Sequence, residues 1–334
     1  MNFSYKFSAV KGVQANSTYY ICMIPCKYLS TLFKETDEET LPEYRAQRKL
    51  NEKRIPDICE YILNNRDTYV FSALAASIDG HFKFHEIQSS VGILEVDMSS
   101  KFLINDGQHR NAAIQKALIE DPTIGEETIP VVFFEDKGLT RSQQMFTDLN
   151  KYAVKPSKSQ NTFYDHKDKL AILTKELIHT NTFLNNYTDV EADTLGKYSA
   201  KLFTLNAIYN ANKYIIASKN TDLCSDFIFK YWNIVVENIY EWNQLINKEI
   251  TKVSLREEYI ITQNIVIYAL GKLGNYFLNN PQLDMSTYLQ KLNKVNWLRT
   301  NHDWVGNAIE DGKISKKSTN VTLTFNKLKE LIGL

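Results

Sequence analysis

Lys101-Phe-Leu-Ile-Asn-Asp106-Gly107-Gln108-His109-Arg110-Asn111-Ala-Ala-Ile-Gln-Lys-Ala-Leu-Ile-Glu120 is the stretch on which the fold turns. Lys101 to Asn105 reads as a short strand. Asn111 to Glu120 reads as a helix, because Ala113, Ile114, Ala117 and Leu118 recur at spacings of three and four. Between the two elements, Asp106, Gln108, His109 and Arg110 crowd into one turn with Gly107. Glycine permits a tight turn and close backbone approach. The helix start offers unpaired N–H groups and the positive end of its dipole. Arg110 is always charged and can fork onto a phosphate. Asp106 can cap the helix or hold a metal, and His109 can donate to a phosphate or move a proton near neutral pH. The same Asp-Gly pair also serves as an ordinary turn with no ligand at all.

Outward from this turn, the chain has two textures. Tyr19 to Ile24 reads as a strand ended by Pro25, Val91 to Val96 as another, and Tyr69 to Ile78 contains strand residues. Phe102 to Asn105 follows a Ser99-Ser100 turn, which predicts a hairpin with the strand before it. Thr128 to Phe134 is a continuous apolar run of the buried-strand type. Leu41 to Asn64 is helical in pattern, and Thr140 to Leu149 reads as a helix opening on a threonine cap. From about residue 166 the pattern is almost wholly helical. Phe227, Tyr231, Ile234, Val235, Ile239, Trp242 and Ile246 keep helical spacing, and so do Ile260, Ile261, Ile265, Tyr268, Ala269 and Leu273. Asn279-Asn280-Pro281 breaks the chain before a further helix from Thr287 to Leu292. These periodic aromatics read as a bundle core in preference to a base-stacking surface. The expectation is an α+β chain, a mixed sheet-and-helix domain over residues 1–165 followed by an all-helical domain over 166–334.

Length and composition agree. A chain of 334 residues suggests about two domains of roughly 150 residues each. Apolar residues make up 43%, enough for packed cores. Lys and Arg number 39 and so do Asp and Glu, so a uniformly basic coat for nucleic acid is excluded while local patches are not. Cys22, Cys26, Cys59 and Cys224 lack a second Cys or His pair at zinc spacing and read as reduced structural thiols. Met1 to Val10 carries no signal-peptide pattern, and no run approaches the roughly 18 apolar residues of a membrane span. A soluble cytoplasmic protein with no membrane partner is expected.

Asp106-Gly107-Gln108-His109-Arg110 followed by Ala112-Ala113 resembles the signature of the DGQHR-domain proteins, within the wider ParB/sulfiredoxin-like superfamily. Arg48-Lys49-Leu50-Asn51 with Arg54 and Tyr61-Ile62-Leu63 extends the likeness toward the DndB family of DNA sulfur-modification proteins. Phe146-Thr147-Asp148-Leu149-Asn150 and Lys327 to Leu334 do the same. The resemblance implies a ParB-like fold for the first domain. Sulfiredoxins carry a catalytic cysteine where this chain has Gln108, and an amide is no thiolate, so sulfiredoxin-type chemistry is not expected. ParB proteins carry a Gly-Glu-Arg-Arg-type turn for nucleoside triphosphate, and Gln108 lacks that carboxylate, which weakens metal-assisted hydrolysis.

The resemblance also implies a repressor of the DNA phosphorothioation operon that binds double-stranded DNA. No pyridoxal-phosphate, iron–sulfur or Walker A pattern suited to the sulfur-transfer steps is found. Arg45, Arg48, Lys49, Lys53 and Arg54 form one basic stretch suited to phosphate, preceded by acidic Glu35, Asp37, Glu38, Glu39 and Glu43 that would equally pair with it. Lys151, Lys155, Lys158, Lys167 and Lys169 form a second, with Asp165 and Asp168 opposing and Tyr152, Phe163 and Tyr164 interleaved. Lys155 and Lys158 are taken as DNA contacts. Gly107, Gln108, His109 and Arg110, completed by Asn150 and Lys151, are the candidate site for a nucleotide or a DNA phosphate. The alternative is a nucleotide-hydrolysing enzyme or nucleotide-gated switch. Asp106 and His109 would then be catalytic, with nucleoside triphosphate and Mg²⁺ as cofactors. Further expected partners are the other DNA sulfur-modification proteins and, for a palindromic operator, a second copy of the chain.

Overall fold

The computed structural model describes residues 3–33, 50–136, 138–151, 155–196 and 199–334. Two compact units make up the chain, Met1–Val154 and Lys155–Leu334.

The first unit is built on seven strands: β1 (Ser4–Gln14), β2 (Ser17–Pro25), β3 (Leu74–Asp79), β4 (Phe82–Gln88), β5 (Val91–Asp97), β6 (Lys101–Asp106) and β7 (Thr128–Glu135). They lie in the order β4-β5-β1-β2-β7-β3-β6. All pairs are antiparallel except β3 with β7, which run parallel. The expected hairpin between β5 and β6 does not form. β5 lies between β4 and β1, and β6 pairs only with β3 at the far edge. Short connections nevertheless join strands far apart in this order. Gly80 and His81 alone link β3, sixth in line, to β4, first in line. A flat sheet would hold those strands about 24 Å apart, whereas such a link reaches about 10 Å. The sheet must therefore curl until its edges approach. Side chains from distant strands meet inside the curl. Tyr20 of β2 packs on Phe82 and Phe84 of β4, with centroids 5.9 and 5.3 Å away, and Phe102 of β6 meets Tyr5 of β1 at 6.1 Å.

Helices α1 (Leu29–Leu32), α2 (Ile55–Asn64), α3 (Gln108–Glu120) and α4 (Leu139–Lys151) complete the unit. Ala113, Ile114 and Ala117 of α3 share one core with Cys59 and Ile62 of α2 and with Leu74, Ala76, Ile78, Val131 and Phe133 of the sheet. The helical pattern expected over 41–64 is seen as α2, after a short 3₁₀ turn at Glu52–Arg54; residues 41–49 lie outside the described residues. β7 is buried on alternate residues only, so the continuous apolar run at 128–134 is one-sided. Thr140 lies inside α4 and does not cap it. Asp136 organises the entry by accepting from the Gly138 N–H (2.8 Å) and the Ser142 hydroxyl (3.2 Å).

The second unit is helical apart from two pairs of two-residue strands. Its helices are α5 (Lys158–Tyr164), α6 (Lys169–Thr180), α7 (Thr182–Tyr187), α8 (Leu205–Ile216), α9 (Ser225–Asn238), α10 (Tyr240–Ile246), α11 (Lys252–Glu258), α12 (Asn264–Asn279), α13 (Met285–Leu289) and α14 (Ser318–Ile332). The expected bundle core is found except at Ile246, which is 51% exposed. Tyr231, Val235, Trp242, Ile265, Ala269 and Leu273 are all inside, and Trp232, Trp297 and Trp304 join them. α12 packs against α8 and α14. Its Gly271 lets α8 approach closely, since a Cβ there would overlap the Ala211 carbonyl. A buried polar relay ties three helices together. The Trp232 indole N–H donates to Asn212 (2.7 Å), whose amide donates to the Thr174 hydroxyl (3.0 Å).

Candidate functional site

β6 ends at Asp106 and α3 begins at Gln108, so Gly107 alone makes the corner. Its φ of 98° and ψ of 16° lie in the left-handed region that glycine enters at little cost. Space excludes a side chain as well, because a Cβ at this position would overlap Leu74 Cδ2 and stand 3.1 Å from Arg110 Nη2. No side chain caps α3, so Asp106 does not play that part. Instead its carboxylate accepts from Arg110 Nη2 at 2.6 Å.

Arg110 is turned inward. Its Nη1 donates to the Ser72 carbonyl (2.6 Å), to the Ser72 hydroxyl and to the Ala73 carbonyl (3.0 Å). The guanidinium thus fastens the corner to the chain entering β3, and only 17% of the side chain is exposed. An incoming phosphate would compete with these partners for the same N–H groups. His109 meets a different segment: the backbone N–H of Asn51 donates to its Nε2 at 3.1 Å. That bond needs the lone pair on Nε2, which places the ring proton on Nδ1. Asn51 leads directly into exposed Lys53 and Arg54, so the end of the first basic stretch is fastened to the turn. Arg45, Arg48 and Lys49 lie outside the described residues.

Three amide groups around the corner hold buried atoms without partners: Asn105 Oδ1, Gln108 Nε2 and Asn111 Oδ1. Asn105 is 1% exposed. Its Nδ2 donates to Ser77 Oγ (2.6 Å) and lies 3.2 Å from Met145 Sδ of α4. Asn150 and Lys151 fall in the last turn of α4, with Lys151 exposed. Lys155 and Lys158 belong to the second unit and are exposed there. At α5 the helix start is already filled: Asp193 accepts from the Lys158 and Ser159 N–H groups at 2.9 and 3.0 Å. Asp168 likewise caps α6, and Lys169 pairs with Asp222.

Ser72, Ala73 and Asn51 are the residues of this arrangement that carry no chemical signature in sequence. Their parts are played by backbone groups and one hydroxyl. Asn105 did carry one, as a polar residue at the end of an apolar strand. No group of three or more His, Cys, Asp or Glu fit to hold a metal occurs among the described residues. All four cysteines are free and buried. Among the described residues no helix is long and apolar enough to cross a membrane.

A family model described as DndB, DNA-sulfur modification-associated, matches residues 7–334. No curated protein and no solved structure matches the chain.

Proposed function

This chain belongs to the DndB family of DNA-sulfur modification-associated proteins, and from that premise we propose that it is a DNA-binding transcriptional repressor of a DNA phosphorothioation system. The observation that carries this reading is the bond from Asn51 to His109, which couples a basic segment to the turn. Lys53 and Arg54, with Arg45, Arg48 and Lys49 before them, grip the duplex backbone, and Lys155 and Lys158 add contacts. The turn from Gly107 to Arg110 receives a phosphate, which takes N–H groups of Arg110 from the Ser72 and Ala73 carbonyls. The protein works in the cytoplasm beside the other DNA sulfur-modification proteins, and a dimer suits a palindromic operator. A gel-shift titration with the promoter of its own operon tests this. Tight binding that weakens as salt rises is expected, because each neutralised phosphate releases counterions. Equal affinity for promoter and random duplex would remove the repressor role.

A second reading has its own support. The buried Gln108 Nε2, a donor, lacks a partner beside a helix start, which favours a small ligand that supplies an acceptor there. Nucleoside triphosphate with Mg²⁺ is the candidate, as a gate on DNA affinity or as a substrate with Asp106 and His109 acting on it. Calorimetric titration with each triphosphate and Mg²⁺ tests it. Heat released by the wild type and lost in Gln108→Ala supports the reading; no heat with any triphosphate rejects it.

A further inference from the structure

The helical unit carries an unevenness of charge that neither reading uses. The chain as a whole has 39 acidic and 39 basic residues. Yet α8, α12 and α14, which pack side by side, contain one acidic residue among them, Glu330, and it is paired with Lys327 at 2.8 Å. The same helices carry Lys213, Lys272 and Lys329 in addition, and Lys291 stands two residues past the end of α13.

Three of these lysines are seated on aromatic rings. The Lys272 ammonium lies 5.4 Å from the Tyr214 centroid and donates to Thr322 Oγ1 at 2.9 Å, which ties α12 to α8 and α14. The Lys329 ammonium lies 4.0 Å from the Tyr276 ring and 5.7 Å from Phe325. The Lys291 ammonium lies 4.9 Å from Tyr288, and a Cβ built on Gly333 would stand 3.0 Å from it. The seats adjoin: Tyr276 is one turn beyond Lys272 on α12, and Gly333 is one turn beyond Lys329. Among the described residues, none of the three ammonium groups has a carboxylate partner. A ring attracts the ammonium and fixes the stem of a lysine. It leaves the charge uncancelled and most of the N–H donors unspent.

We infer that the surface of α8, α12 and α14, with Lys272, Lys291 and Lys329 at its centre, is a contact surface for the phosphate backbone of duplex DNA. A row of positioned ammonium groups, none of them paired with a carboxylate among the described residues, is complementary to a regular polyanion. It offers no acceptor for reading bases, so it contributes affinity without sequence preference. The inference takes its choice of partner from the DNA-binding reading and adds a surface on the second unit, distinct from the basic stretch at 45–54.

The test is filter binding of the full chain to a random-sequence duplex across a salt series, comparing wild type with the triple variant K272Q/K291Q/K329Q. The single variants K291Q and K329Q serve if the triple variant does not fold, judged by its tryptophan-fluorescence melt. Lys27→Gln, which removes a lysine already paired with Glu126, is the charge control. The expected result is a log–log salt slope shallower by about three for the triple variant, or about one for a single variant. Affinity at low salt should fall at least tenfold for the triple variant, with Lys27→Gln unchanged. Unchanged slope and affinity in the variants would overturn the inference. So would a wild type that binds no random duplex at low salt, or phosphatidylserine vesicles binding with this lysine dependence while duplex does not. Because the duplex is random, loss of promoter preference rejects the repressor role alone and leaves this surface standing.

Discussion

At the residue scale, the corner of the first unit rests on Gly107 and Arg110. Gly107 holds a left-handed backbone against Leu74, so both conformation and space select against any side chain. Gly107→Ala should cost about 2–3 kcal/mol, one part from the left-handed backbone and the rest from displaced packing; urea denaturation followed by far-UV circular dichroism measures it. Arg110 differs from the expectation of an outward phosphate ligand, because its fork is spent on Ser72, Ala73 and Asp106. Arg110→Lys keeps the charge and loses the fork. It should lower the melting temperature by several degrees even with no ligand present, a loss of roughly 1–3 kcal/mol from unmet partners. A melting temperature equal to wild type would show that the bonds to Ser72 and Ala73 contribute nothing. The glycine was legible because an Asp-Gly pair between a strand and a helix names its own backbone. The direction of Arg110 was not, since Ser72 lies 38 residues upstream and is reached only in the folded sheet.

At the scale of elements, local pattern identified β2, β5, β6, β7, α3 and the long helices of the second unit, but not how strands pair. Ser99-Ser100 suggested a hairpin, yet β5 stands second in the strand order and β6 last, in a curled sheet. That curl depends on contacts such as Tyr20 with Phe84, which no local window contains. β1 and β4 do alternate, through Tyr5, Phe7 and Ala9 in one and Phe82 and Phe84 in the other, but each alternation is short, ending at Lys11-Gly12 and at His85-Glu86. The thiols on and beside β2 make a measurable statement about this layer. Burial pushes Cys22 up to about 12 and Cys26 up to about 11. Both therefore stay protonated in the folded state where an unfolded thiol, near 8.5, has ionised. The unfolded state then binds fewer protons, so stability is level below about pH 8 and falls as pH rises. The fall continues to about 11 for Cys26 and about 12 for Cys22, at roughly 1.4 kcal/mol per pH unit for each thiol. Urea midpoints between pH 7.5 and 10 should show this fall, and Cys22→Ala should make it shallower. Equal slopes in the two proteins would count against a buried, neutral Cys22.

At the scale of the whole molecule, the two units have separate cores, with no residue of one core drawn from the other unit. All four tryptophans, Trp232, Trp242, Trp297 and Trp304, belong to the second and are 0% exposed. Tryptophan emission therefore reports on that unit alone. In a urea titration it should trace a single transition, while far-UV ellipticity, which sees both units, should depart from it if they unfold at different denaturant concentrations. Superposition of the two curves at every pH would mean that the units unfold together. The division into a sheet-bearing and a helical part was legible in the change of periodicity, because helix and strand periods differ whatever the tertiary contacts. A consequence of β7 reaches beyond equilibrium. It is the strand that joins β4-β5-β1-β2 to β3-β6, and it ends at Glu135, after every other strand of its sheet has been synthesised. Until then the nascent chain holds two half-sheets with open edges at β2 and β3. Synthesis of the first 130 or so residues is thus the interval in which wrong pairing and aggregation compete best, and slowing translation just after β7 would favour the native register.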